Sequence, residues 1–142
     1  MKCFGCQLAN GTLPASVVYE DERVSCILDI APFNEGHVLI LPKNHANYFT
    51  DFGAAQTESV MNATKLLTQA IRDVFNPDGV TVCQNGGAGD SLGHFHLHVV
   101  PIYKGQDFST FWRVDLETQS LSRETLEKTK LKLVTAINKL RC

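Results

Sequence analysis

Three of the five histidines in this chain fall in one alternating run, His94-Phe95-His96-Leu97-His98. In an extended backbone, residues two apart point to the same face, roughly 6.5–7 Å apart along the strand. The three imidazoles therefore form a row on one side of a sheet, while Phe95, Leu97 and Val99 take the side where a core would lie. Two chemistries are open to such a row. A neutral imidazole offers a lone pair on one ring nitrogen near neutral pH and attacks phosphorus without a separate strong base. Imidazoles in a row also bind metal ions. Use as a nucleophile requires that the second ring nitrogen be hydrogen-bonded, which fixes the tautomer, and that donors meet the phosphoryl oxygens. Backbone N–H groups from Gly86 to Ser91, immediately before the run, are suited to that second task.

A second constellation opens the chain. Cys3-Phe4-Gly5-Cys6 presents two thiols from one tight turn, the spacing of a zinc knuckle. The same spacing marks redox motifs, but the helix and βαβ pattern expected around those are not legible here. His45, at the end of one strand, and His94, at the start of another, are the candidates to complete a Cys₂His₂ site. Four protein ligands leave no open position, so a zinc held there is structural and does not activate water. It would also orient His94 and leave His96 and His98 for chemistry. The cysteine pair and the two histidines lie too far apart in sequence for a nucleic-acid zinc finger.

Several elements must position these residues. Val17-Val18-Tyr19 and Val24 to Leu28 read as two short strands joined across Glu20-Asp21-Glu22. Asp29 to Gly36, with Pro32 and Asn34, is a loop, and Val38 to Leu41 is a buried strand stopped by Pro42. Val60, Ala63, Leu67, Ala70, Ile71 and Val74 recur at helical spacing, which predicts an amphipathic helix over residues 54–75. Asn76-Pro77-Asp78-Gly79 ends it. Val80 to Cys83 is a strand, a glycine-rich loop follows, and the histidine run to Ile102 is the last strand. Ser122 would cap a final helix with Leu126, Leu133, Ile137 and Leu140 on one face. The fold class is α+β, with a mainly antiparallel sheet.

Composition narrows the function. The 142 residues suffice for one domain, spanning 1–142, with a core that needs no disulfides. A net charge of −2 gives no basic face for nucleic acid, and the longest apolar runs are too short to cross a membrane. The N-terminal residues lack the apolar stretch of a secretory signal, and five cysteines make an odd count without framework spacing. Reduced thiols and a cytoplasmic location are expected.

Gly93-His94-Phe95-His96-Leu97-His98-Val99-Val100-Pro101 resembles the signature of the histidine-triad (HIT) family of nucleotide hydrolases and transferases. Leu28-Asp29-Ile30-Ala31-Pro32 resembles the family's ribose-binding strand end, and Gly36-His37-Val38-Leu39-Ile40-Leu41-Pro42-Lys43-Asn44-His45 its G-H-x-L-x-x-P-K-x-H segment. The likeness covers about residues 3–103, leaving 104–142 as a C-terminal extension in which Phe111-Trp112 is given only a packing role. The Cys₂His₂ set is similar to that of some bacterial members.

The resemblance implies a five-stranded sheet with a long helix and a C-terminal helix, and a homodimer. It implies a purine nucleotide or nucleotide conjugate as ligand, attacked at the α-phosphorus by His96 through a covalent nucleotidyl-histidine. His98 would assist the leaving group. Asp29 would accept the ribose hydroxyls, and Phe4, Leu8, Ile27 and Ile30 would line the base pocket. Ser91 would donate to the phosphate beside Gly89, and the family's loop asparagine falls on Gln84 or Asn85. His37 reads as structural, and no catalytic cofactor is expected beside the structural zinc. Two departures stand out. Gly5 occupies a position often aromatic in the family, and Asp90 replaces a glutamine, a change that opposes an anionic substrate unless its side chain points away. Asp90 and a loop one residue short give the alternative of a nucleotide-binding module with little turnover. A zinc-structured interaction protein without nucleotide affinity is the third reading.

Overall fold

The computed structural model describes residues 3–112 and 120–142. Residues 113–119 of the C-terminal extension and the side chain of Trp112 lie outside that description. The architecture is a five-stranded antiparallel sheet with two long helices on one face. Strands β1 (Val17–Glu20), β2 (Val24–Leu28), β3 (Val38–Pro42), β4 (Gly79–Cys83) and β5 (Leu97–Ile102) lie in the order β1-β2-β3-β5-β4. Helix α2 (Ala54–Phe75) connects β3 to β4, and α3 (Arg123–Leu140) follows the extension.

Side-chain alternation divides the sheet cleanly. Val24, Cys26 and Leu28 of β2, Val38 and Ile40 of β3, and Leu97 and Val99 of β5 all enter the main core. There they meet Val60, Ala63, Leu67, Ala70 and Ile71 of α2, one stripe at helical spacing, with Leu126, Leu133 and Ile137 of α3. Leu140, expected on that α3 face, is exposed instead, since the helix ends there. Ser122 caps α3, its Oγ accepting the Thr125 N–H at 3.2 Å. Helix α2 stops where Asn76 turns left-handed at φ 46°, a conformation asparagine tolerates better than most residues.

The opposite face of the sheet carries the chemistry. Ile27 and Leu41 pack there with Ala9 of a short helix, α1 (Phe4–Ala9), which partly covers that face. The N-terminal cysteines are therefore not a bare knuckle. Cys3 is the N-cap of α1 and Cys6 lies in its first turn. The histidine run also differs from the expected strand, because β5 begins only at Leu97. His94 lies in a bend, and Phe95 and His96 form a lead-in to the strand, pinned by the Phe95 N–H donating to the Ala46 carbonyl at 2.7 Å. That bond brings the start of the run beside the segment that carries His45. Among the described residues, no helix is long and apolar enough to cross a membrane.

Candidate active site

The four expected metal ligands converge. The ligand atoms of Cys3, Cys6, His45 and His94 lie within 4.8 Å of one another. His94 Nδ1 stands 3.5 Å from each cysteine Sγ, and His45 Nδ1 is 3.6 Å from the Cys6 Sγ. A tetrahedral zinc with ordinary bond lengths separates its sulfur and nitrogen ligands by ~3.5 Å. The donor set and its spacing fit that ion. The His94 Nε2–H donates to the Pro42 carbonyl at 2.8 Å, which leaves Nδ1 bare and aimed at the thiols. Gly5 explains itself here. A Cβ on it would lie 2.3 Å from the His94 Cβ, so only glycine lets α1 approach close enough to present both cysteines.

His96 comes next along the chain and is also buried. Its Nδ1 lies 2.9 Å from the carbonyl of His94, which can only accept, so Nδ1 carries the proton. In the neutral ring the lone pair is then on Nε2. Residue 94 thus serves two purposes: its side chain faces the thiols and its carbonyl sets the tautomer of His96.

His98 is set by a contact that sequence reasoning missed. His37, expected to be merely structural, is buried with its Nε2 2.9 Å from the His98 Nδ1. The Phe33 N–H donates to the His37 Nδ1 at 3.1 Å, so the neutral His37 ring bears its proton on Nε2 and gives it to His98. His98 therefore holds its own proton on Nε2. Burial pushes the pKa of His37 down to about 3 and that of His98 to about 4, with neighbouring histidines adding to the effect. Both rings are neutral at pH 7. Phe111 of the extension stands edge-on to His98, ring centroids 5.0 Å apart, and 5.6 Å from His37. No pattern in the sequence ties that residue to the site.

Asp29 lies at the end of β2, its Oδ2 3.6 Å from the His37 Nε2 and its Oδ1 accepting the Ala31 N–H at 2.9 Å. Burial raises its pKa, opposed by that hydrogen bond and by His96. The residues expected to hold the base divide into two sets. Leu8 and Ile27 pack together in the small apolar cluster, whereas Phe4 and Ile30 are 55% and 57% exposed. A groove of about 890 Å³ runs over the cysteine end of the site, lined by Phe4, Gln7, Asn10, Leu92 and the cysteines, among others, and Ile27, Ile30 and Asp29 are not among its walls.

The glycine-rich loop folds as a 3₁₀ turn over Gly87–Gly89. A Cβ at Gly86 or Gly87 would run into the Tyr48 ring or its hydroxyl, at 2.8 and 2.6 Å. The Gln84 side chain donates to the Asn85 carbonyl at 2.7 Å, Asn85 abuts Gly89, and Ser91 is exposed. The expected phosphate nest needs one correction: the Asp90 N–H already donates to the Gly87 carbonyl at 2.9 Å. Asp90 also does not confront an incoming anion. Its Oδ1 accepts the N–H groups of Leu92 and Gly93, at 2.8 and 3.1 Å, and its side chain is only 4% exposed.

The neutral pair of buried His37 and half-buried His98 has a thermodynamic consequence. The unfolded chain binds protons at these sites below about pH 6.5, whereas the folded chain does not until near the depressed values. Stability should therefore fall as pH drops below about 6.5, by up to about 1.4 kcal/mol per pH unit for each site. His37→Asn should lower stability at pH 7 yet show a shallower loss on going to pH 5. Urea unfolding of both proteins at the two pH values checks this; equal losses would contradict the burial account.

Residues 10–105, more than half the chain, match the family model described as HIT domain. Protein hit of Bacillus subtilis is 37% identical over 114 residues, covering 78% of this chain and 79% of that protein. Adenosine 5'-monophosphoramidase hnt1 of Schizosaccharomyces pombe is 31% identical over 103 residues, covering 71% and 74%. Among solved structures, a Zn-bound histidine triad family protein from Mycobacterium smegmatis superposes with a TM-score of 0.78 at 30% identity, covering 99% of this chain and 96% of that one. Zinc in that relative accords with the Cys₂His₂ cluster here. With its alternating histidines on one sheet face and its paired cysteines beside them, the chain belongs to the HIT domain family.

Proposed function

We propose that this protein is a nucleotide hydrolase or nucleotidyl transferase that attacks the α-phosphorus of a nucleoside phosphoramidate or dinucleoside polyphosphate. The reading rests above all on one observation, the bond from the His96 Nδ1 to the His94 carbonyl, which leaves Nε2 as the attacking atom. In the first step an Nε2–P bond forms and the bond from phosphorus to the leaving nitrogen or oxygen breaks, its electron pair departing with the leaving group. The His96 ring keeps its Nδ1 proton and becomes cationic. The Nε2–H of His98 donates a hydrogen bond to the leaving atom. Because that ring is neutral at pH 7, a leaving amine draws its proton from solvent. Water then attacks phosphorus and releases a proton to solvent, the Nε2–P bond breaks with its electron pair returning to Nε2, and a nucleoside monophosphate leaves.

Asp29 accepts from the ribose hydroxyls in this scheme, and Phe4, Leu8, Ile27 and Ile30 contact a base. Gln84, Asn85, Gly89 and Ser91 serve the phosphate side. The adenosine compound in the name of the fission-yeast relative supports a purine. Asp90 and the short loop favour a binding module without turnover, and the inward turn of the Asp90 carboxylate removes the first of these two supports.

Intact-protein mass spectrometry after rapid quench with an AMP phosphoramidate tests the scheme. The wild type should carry one adenylyl group, and His96→Ala should give neither adduct nor turnover while binding AMP almost normally. Turnover by His96→Ala at the wild-type rate would falsify the assignment.

Zinc at Cys3, Cys6, His45 and His94 is the second part of the proposal. Bound there it supplies no catalytic water and holds α1 and His94 in place. Elemental analysis should find one zinc per chain, and Cys3→Ser should lose it together with thermal stability. Protein prepared without chelator and free of zinc would contradict this.

The third part is a homodimer. Strand β4 is a sheet edge, Val82 on it is 44% exposed, and Met61 of α2 is 48% exposed. Light scattering at micromolar concentration should give twice the 15.7 kDa chain mass; the single-chain mass would exclude the assembly.

A further inference from the structure

Asp90 is a departure from the family pattern that the scheme above does not use. Its carboxylate is almost fully enclosed, which is costly for a charge unless something offsets it. Two backbone groups do, the Leu92 and Gly93 N–H groups that donate to its Oδ1. The same oxygen stands 3.7 Å from the His96 Nδ1. Nδ1 is the far side of the ring from the attacking nitrogen. The carboxylate is therefore placed behind the nucleophile, across the imidazole from where phosphorus would arrive.

We propose that Asp90 is a positioning residue for His96, whose charge offsets the cation that the ring becomes when Nε2 bonds to phosphorus. The inference rests on the reading of His96 as nucleophile. A neutral ring gains little from a carboxylate at that distance, and a phosphorylated ring gains much more. The interaction thus favours the intermediate and the transition state leading to it over the resting enzyme. No proton moves to Asp90: the Nδ1 proton stays with the ring, hydrogen-bonded to the His94 carbonyl at 2.9 Å. The two backbone donors fix the carboxylate before substrate binds, so no reorganisation accompanies the chemical step. A glutamine at this position would offer dipole but no charge.

The test separates charge from shape. Asp90→Asn keeps an oxygen for both N–H donors and removes only the charge. With an AMP phosphoramidate in rapid-quench mass spectrometry, the adenylyl adduct should form ten- to a hundred-fold more slowly than in wild type. AMP affinity should change by less than about two-fold, so the loss falls on kcat and not on KM. Asp90→Glu and Asp90→Gln give a second comparison, equal in length and different in charge, which survives any disturbance of the turn. The glutamate variant should form adduct at least ten times faster than the glutamine variant. Adduct formation by Asp90→Asn at the wild-type rate, or a glutamine variant as fast as the glutamate one, overturns the inference. A wild type that turns over without any adduct overturns instead the reading of His96 on which it rests.

Discussion

The two-residue period of an extended chain governs this molecule. From His94 to Val99 it sends Phe95, Leu97 and Val99 into the core beneath α2 and leaves three imidazoles off that side. Once the apolar residues are buried, the histidines have no freedom to change face, since a slip of one residue would exchange the two sets. Each ring then meets a different acceptor or donor. His94 finds the Pro42 carbonyl and the thiols, His96 finds the carbonyl of His94, and His98 finds His37. One repeated side chain thus acquires three different sets of partners from its place along the run.

Burial alone would make such a row unfavourable. Desolvation penalises imidazolium, and adjacent like charges add to the penalty. The structure meets this by keeping His37 and His98 neutral and by pairing ring nitrogens with carbonyls or with one another. Among the described residues, every buried side-chain nitrogen or oxygen has a partner. The sequence of bonds from the Phe33 N–H through His37 to His98 matters because it is directional. A backbone N–H cannot accept, so the tautomer of the outermost ring is decided two residues away from it in the hydrogen-bond chain. Phe111 closes the side of His98 with an aromatic edge and further reduces its contact with water.

Much of this was legible from residue types and spacing. The span of α2, its termination at Asn76, the cap at Ser122 and the convergence of Cys3, Cys6, His45 and His94 follow from periodicity, turn chemistry and ligand type. What escaped has a common physical character. Helix α1 is only six residues long and carries too little periodicity to register. The partnership of His37 with His98 spans 61 positions, and nothing local to either residue announces it. Asp90 reads by charge as hostile to a phosphate, yet an aspartate can also fold back onto N–H groups two and three residues ahead, and here it does. Its effect depends on direction, which composition does not encode. Gly5 likewise looks like the loss of an aromatic until His94 is seen against it.

The tautomers carry the whole chemical argument, and they are directly observable. Two-bond ¹⁵N–¹H correlation spectra of histidine-labelled protein at pH 7 distinguish a protonated ring nitrogen from a bare one. Attack by His96 requires its proton on Nδ1, leaving Nε2 free, and the bonds from Phe33 to His37 to His98 require the proton on Nε2 of both His37 and His98. A spectrum in which His96 is protonated at Nε2 with Nδ1 bare would contradict the first requirement, since that ring would then present a donor where the mechanism needs a nucleophile.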